Sequence, residues 1–290
     1  MIGNAGRLTM DTDSKGTKDI LFVVRRYNPE TDGAPYNQEY TVLVEPGMTV
    51  LDGLHQIKNT QDATLVWRFS CRMGVCGSCG MLINGKPTLA CNTQILHVTD
   101  RVLTVGPLPN FEIIKDLIPD LQPMFAKHIS GRPHIHRDDW DPRAAPADEY
   151  YQTPEELIRF LQFSYCIKCG SCMAACPTLA RDKSYLGPMP LAQVHRYNVD
   201  TRDGGFNERK KIAGGSAGVA RCHYAGECSN VCPKGVDPAR AIQLMKRDLV
   251  FSYLRLKKRK GVCGTIGPAP HAKRREGVPD PPPYTIEQKG

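Results

Sequence analysis

The chain has 290 residues, length enough for two domains, with 41% hydrophobic residues and 12 cysteines. Its formal charge is +8, and no apolar run approaches the ~18 residues of a membrane span, which excludes a chain that crosses the bilayer by itself. The opening MIGNAGRLTMDTDSKGTKD has no apolar signal core and is not an acid-poor, arginine-rich transit segment, so reduced thiols are expected rather than a secreted disulfide scaffold.

After a flexible N-terminus (1–17), residues 19–25 and 40–45 alternate or run apolar and read as strands. Val50, Leu51, Leu54 and Ile57 then recur at helical spacing. Next come Cys71, Cys76, Cys79 and Cys91, spaced C-x4-C-x2-C with a distant fourth, the plant-type [2Fe-2S] pattern. Gly74, Gly77, Ser78 and Gly80 suit a loop wrapped closely round a cluster, because glycine permits positive φ and lets amides approach sulfur. Zinc is the alternative for C-x2-C pairs. The x4 spacing, the glycine loop and the eleven-residue gap to Cys91 favour iron. Asn84–Gly85 is a hairpin signal between Met81-Leu82-Ile83 and the segment leading to Leu89. From this pattern alone the fold class is α+β, with a first domain at 18–126.

Residues 127–152, rich in Pro, His, Asp and Arg, read as a linker or covering loop. His128, His134 and His136 lie there without a partner set at metal spacing. A helix start follows, with Thr153 as N-cap, Pro154 at N1 and Glu156 at N3. Cys166, Cys169, Cys172 and Cys176 then form C-x2-C-x2-C-x3-C-P, the bacterial ferredoxin run, whose fourth cysteine ligates the other cluster when two are present. Cys222, Cys228 and Cys232 fit the same template, with Ala225 at position two. By the exchange rule Cys166, Cys169, Cys172 and Cys232 hold a [4Fe-4S] cluster. Cys176, Cys222 and Cys228 supply three thiolates, which suits [3Fe-4S]; the alternative is a second [4Fe-4S] with a non-cysteine ligand such as water.

Asp237–Pro238 opens a helix whose apolar stripe, Ile242, Met245, Leu249, Tyr253 and Leu256, reads as core or as a subunit-facing surface. Helices flanking two ferredoxin runs give an all-α helical ferredoxin domain at 153–260. Residues 261–290 read as an extended Pro-rich tail, with Cys263 an unliganded thiol. The run Lys257–Lys260 reads as a solvated helix end or a contact with anionic headgroups or a partner. The positive charge does not argue for nucleic acid, and no such partner is expected. Eleven thiolates with oxidised cores give each centre about −2, leaving the loaded protein near about +2.

The runs WRFSCRMGVCGSCGMLINGKPTLAC, CIKCGSCMAACP, HRYNVDTRD and RCHYAGECSNVCPKGVDPARAI, in this order, resemble the iron–sulfur subunit of succinate dehydrogenase and fumarate reductase (succinate:quinone oxidoreductase, respiratory complex II). The resemblance covers about residues 18 to 255. It implies an N-terminal β-grasp plant-type ferredoxin domain and the same ligand sets, including the missing cysteine at Ala225. It implies a separate flavoprotein subunit, with covalent FAD, that interconverts succinate and fumarate. Electrons would pass through [2Fe-2S], [4Fe-4S] and [3Fe-4S] to quinone at a site shared with membrane anchor subunits, cytochrome b being one candidate. Fumarate reduction would run the path backwards. No acid, base or nucleophile is expected on this chain.

Pro177 and His223 follow cluster cysteines and should lie at the quinone end. His223 either meets quinone or bonds a cluster sulfur or the backbone. Ubiquinone-linked members carry a tryptophan pair after the CP, where this chain has Leu179, Ala180 and Arg181. Lys246, with Gln243 one turn before it, matches the quinone lysine of fumarate reductases, so menaquinone is expected. The expected location is peripheral, on the cytoplasmic face of a prokaryotic membrane. Two competing readings are a related subunit serving a soluble acceptor such as a disulfide, and a non-enzymatic zinc protein.

Overall fold

A computed structural model describes residues 16–137, 149–150, 152–254 and 266–267. Strands β1 (Lys18–Arg26) and β2 (Tyr36–Val44) pair antiparallel, with Phe22 opposite Tyr40. Ile20, Phe22 and Val24 point into the core with Tyr40, Val42 and Val44, the period-two pattern of a sheet buried on one face. Helix α1 (Val50–Thr60) begins with a capping box in which the Thr49 hydroxyl accepts from the Asp52 amide and the Asp52 carboxylate accepts from the Thr49 amide. Its expected stripe, Val50, Leu51, Leu54 and Ile57, is buried against the sheet. Gly53 permits that approach, because a Cβ there would stand 2.5 Å from the Phe22 ring.

Strands β3 (Gly80–Ile83) and β4 (Lys86–Leu89) form the expected hairpin, with Asn84 and Gly85 at φ 44° and 76° as a type I′ turn requires. A short helix α2 (Ile95–Val98) leads to β5 (Val102–Gly106). The sheet order is β2-β1-β5-β3-β4, with β5 parallel to β1 and antiparallel to β3. A small hairpin, β6 (Ile113–Lys115) and β7 (Ile118–Pro119), precedes α3 (Gln122–Ser130).

A buried ionic knot closes this half. Arg26, 5% exposed, donates to Asp116 at 3.0 Å, Gln38 and Tyr40 at 2.7 Å each and Thr64 at 2.9 Å, and pairs with Asp62. Asp116 also accepts from the amides of Tyr27 and Val66, so it ties the end of β1 to the segment leading into the first cysteine loop. Removing one partner strands a buried charge. Asp116→Ala is therefore expected to cost about 3–5 kcal/mol. The check is a urea titration followed by visible absorbance; a loss below about 1 kcal/mol, the worth of an exposed pair, would sink the claim.

The second half is helical. A two-residue strand β8 (Glu149–Tyr150) precedes α4 (Pro154–Ser164), which carries the expected Thr153–Glu156 capping box. Then follow α5 (Ser171–Ala174), α6 (Pro177–Arg181), α7 (Pro188–Val199), α8 (Phe206–Gly214), α9 (Glu227–Asn230) and α10 (Pro238–Tyr253). Helix α7 is the hub, buried from Pro188 to His195 and packed by α3, α4, α8 and α10. A last strand β9 (Ile266–Gly267) pairs with β8, so the tail meets the linker.

One boundary differs from expectation, and two open readings are narrowed. The segment 127–152 opens inside α3, with His128 buried, and its next residues are fastened down. Arg209, 1% exposed, donates to the Arg132 carbonyl at 2.9 Å and to the His134 carbonyl, while its other bonds hold Asp203. A buried guanidinium needs acceptors on every side, and this covering chain supplies them. On α10, Ile242 and Met245 are buried and Leu249 packs beside them, but Tyr253 is 85% exposed. On another side of that last turn Lys210 of α8 donates to the Ser252 hydroxyl at 2.6 Å. Leu256, Lys257–Lys260 and Cys263 lie outside the described residues.

Candidate metal centres

The loop between α1 and β3 carries Cys71, Cys76 and Cys79, and Cys91 follows β4. Arg72, Gly74 and Gly77 have φ of 58°, 68° and 74°, which turns successive amides inward. The Gly74 amide donates to Cys91 Sγ at 3.2 Å, and those of Val75 and Cys76 to Cys71 Sγ at 3.3 Å each. The Cys76 thiol is drawn down to about 6, first by the Cys71 amide and then by Ser78. Burial pushes the Cys79 thiol up to about 12, a penalty that a cationic core would offset. Amides aimed at sulfur fit an iron–sulfur group.

The helical half divides its cysteines between two cavities. One is lined by Cys166, Cys169, Cys172 and Cys232. The other is lined by Cys176, Cys222 and Cys228. The two loops have the same backbone. Lys168 and Tyr224 have φ of 55° and 59°, and Gly170 and Gly226 have φ, ψ of 85°, −11° and 81°, −18°. One-turn helices α5 and α9 then carry Cys172 and Cys228. Ala225 thus stands in the second loop where Cys169 stands in the first, and it faces the three-cysteine cavity. Burial raises the Cys166, Cys169 and Cys172 thiols and pushes Cys228 up to about 11.

The first centre abuts the second. A Cβ on Gly77 would lie 2.8 Å from Cys169 Cβ, and one on Gly80 would lie 3.0 Å from the Cys169 carbonyl oxygen. Only glycine lets these backbones meet. Asn110, after β5, locks the halves together by donating to the carbonyls of Met173, Ala174 and Cys176 at 2.8–3.1 Å.

Residues 21–126 match the family described as the 2Fe-2S iron-sulfur cluster binding domain, and residues 159–233 the 4Fe-4S dicluster domain. The chain is 46% identical to a fumarate reductase iron-sulfur subunit of Mycobacterium tuberculosis over 78% of its length and 91% of the relative's. The chain belongs to the fumarate reductase and succinate dehydrogenase iron–sulfur subunit family. Within this family it is also 40% identical to the fumarate reductase iron-sulfur subunit of Haemophilus influenzae, covering 81% of this chain and 96% of that one. The mitochondrial succinate dehydrogenase iron-sulfur subunit of Candida glabrata is 39% identical, with 79% and 91% covered. A chain of the Mycobacterium smegmatis Sdh1 complex in the apo form matches the fold with a TM-score of 0.69 at 28% identity, covering 82% of this chain and 98% of that one. Like its family, the chain is an electron-transfer subunit of an oxidoreductase and binds 2Fe-2S and 4Fe-4S clusters.

The four residues singled out for quinone gather around Cys222. Pro177 and His223 are exposed at the rim of the three-cysteine cavity. Lys246 Nζ donates to the Cys222 carbonyl at 2.7 Å, and Gln243 Nε2 stands 4.0 Å from Cys222 Sγ. Arg26, Asp116, Asn110 and Tyr185 were not legible as site-supporting residues. Each acts on chain distant in sequence, and no spacing marks it.

Proposed function

We propose that the chain carries single electrons between the FAD of a succinate/fumarate flavoprotein subunit and membrane quinone. The order is [2Fe-2S] on Cys71, Cys76, Cys79 and Cys91, then [4Fe-4S] on Cys166, Cys169, Cys172 and Cys232, then [3Fe-4S] on Cys176, Cys222 and Cys228. The first domain is read as a β-grasp ferredoxin and the second as a helical ferredoxin. The observation that carries the reading is the division of the last seven of these ligands between two cavities, four and three, with Ala225 in the place of a fourth. The touching backbones at Gly77 and Cys169 support the order of the first two centres.

Quinone is placed beside Cys222, among Pro177, His223, Gln243 and Lys246. Menaquinone is favoured by Lys246 and by Leu179, Ala180 and Arg181 where a tryptophan pair would stand. Among the described residues no helix is long and apolar enough to cross a membrane, so anchor subunits are assigned the task of holding the chain at the cytoplasmic face of a prokaryotic membrane.

Low-temperature electron paramagnetic resonance on the assembled complex tests this. A near-isotropic signal is expected in the oxidised state, followed by a [2Fe-2S] signal on mild reduction. An iron-complete sample without the oxidised-state signal would overturn the three-iron assignment.

A further inference from the structure

Tyr185 lies between α6 and α7, nine residues beyond Cys176, and is 1% exposed. Its backbone is pinned from both sides, the amide donating to the Asp182 carbonyl at 3.3 Å and the carbonyl accepting from Lys127 Nζ at 2.7 Å. The ring packs in the core that also holds Cys176, Cys228 and Ile242. Its hydroxyl is buried and has no hydrogen-bond partner in the protein. The residue lines the cavity of Cys176, Cys222 and Cys228. The Cys222 sulfur is the one polar neighbour that acts on the hydroxyl at close range, in a geometry short of a closed hydrogen bond.

A buried hydroxyl left unpaired costs about 1–3 kcal/mol, so an orphan of this kind in a tightly packed wall calls for a partner. A centre held by three thiolates carries net negative charge and presents sulfur acceptors, and hydrogen bonds to those sulfurs help set its potential. We infer that Tyr185 is a positioning residue that donates a hydrogen bond to a sulfur of the centre bound by Cys176, Cys222 and Cys228. This rests on the cluster assignment proposed above. The sign follows from charge. A donor favours the more negative, reduced form, so it raises the midpoint potential and makes this centre a better electron acceptor. No proton is transferred.

Tyr185→Phe removes the hydroxyl and keeps the ring. In the assembled complex, a redox titration followed by paramagnetic resonance should show a lower midpoint for the three-iron centre alone. At a fixed potential the reduced-to-oxidised ratio should fall about threefold to tenfold, tenfold being 59 mV for one electron. The other two centres should keep their midpoints. An unchanged three-iron midpoint, or a common shift of all three centres, would overturn the inference. Should the phenylalanine variant fail to hold the centre, 3-fluorotyrosine at position 185 keeps the donor and makes it more acidic. The midpoint must then rise, and a value equal to the unsubstituted complex would refute the bond. If the unsubstituted complex has no oxidised-state signal, the cluster assignment has failed and the tyrosine bond falls with it.

Discussion

Ala225→Cys is expected to abolish the oxidised-state three-iron signal and replace it with a [4Fe-4S] centre of lower potential. The backbone already has the required form, since Tyr224 and Gly226 repeat the φ angles of Lys168 and Gly170 around Cys169. The new side chain would project where a methyl now faces the cavity, so no loop has to move. A fourth thiolate completes the ligand set that a fourth iron needs. Potential follows cluster type, and a fall of roughly 100 mV or more is expected. Because 59 mV is tenfold for one electron, electron occupancy of this centre should drop by roughly fifty-fold at a fixed potential. Succinate-driven quinone reduction should fall with it, while dye reduction fed from the earlier centres should persist. Iron analysis and a redox titration check the conversion. An iron-replete variant with the original signal would show that Ala225 does not occupy the ligand position.

Lys246→Ala is expected to reduce quinone turnover by roughly 10- to 100-fold, the worth of a hydrogen bond from a charged donor. Activity with a dye that takes electrons at the flavin should be spared. The structure adds a second duty to the same side chain, since its ammonium holds the Cys222 carbonyl at 2.7 Å. The two duties separate by measurement. If Lys246 serves quinone, the three-iron signal persists in the variant and only the quinone rate falls. If it serves the loop alone, the three-iron signal broadens or is lost together with the quinone rate, which would rule out the quinone role.

Much of the site was legible because metal ligation is local chemistry. Cluster loops need cysteines at fixed short spacings, so C-x4-C-x2-C and C-x2-C-x2-C-x3-C-P mark their loops without reference to the rest of the chain. The Asn84–Gly85 turn and the Thr153 cap were equally legible, since each is settled by the dihedrals or hydrogen bonds of a few consecutive residues. Reading failed where distant chain decides. Periodicity put Tyr253 on the stripe of α10 but left core and subunit-facing surface both open, because it says which face a residue shares and not whether that face is covered; Tyr253 is exposed. For the segment after α3, linker and covering loop both stayed open, because its hydrogen bonds go to Arg209, more than seventy residues away.

The sequence by itself determined the ligands on offer, the absent cysteine at Ala225 and the division into a mixed α+β half and a helical half. Those follow from ligand spacing and hydrophobic period, both properties of neighbouring residues. Only the tertiary structure decided that Gly77 meets Cys169, that Asp116 of the β6–β7 turn answers Arg26 and that Tyr185 lines the three-cysteine cavity. Such contacts arise when packing brings remote segments within a few ångströms, and no period or spacing along the chain encodes that distance.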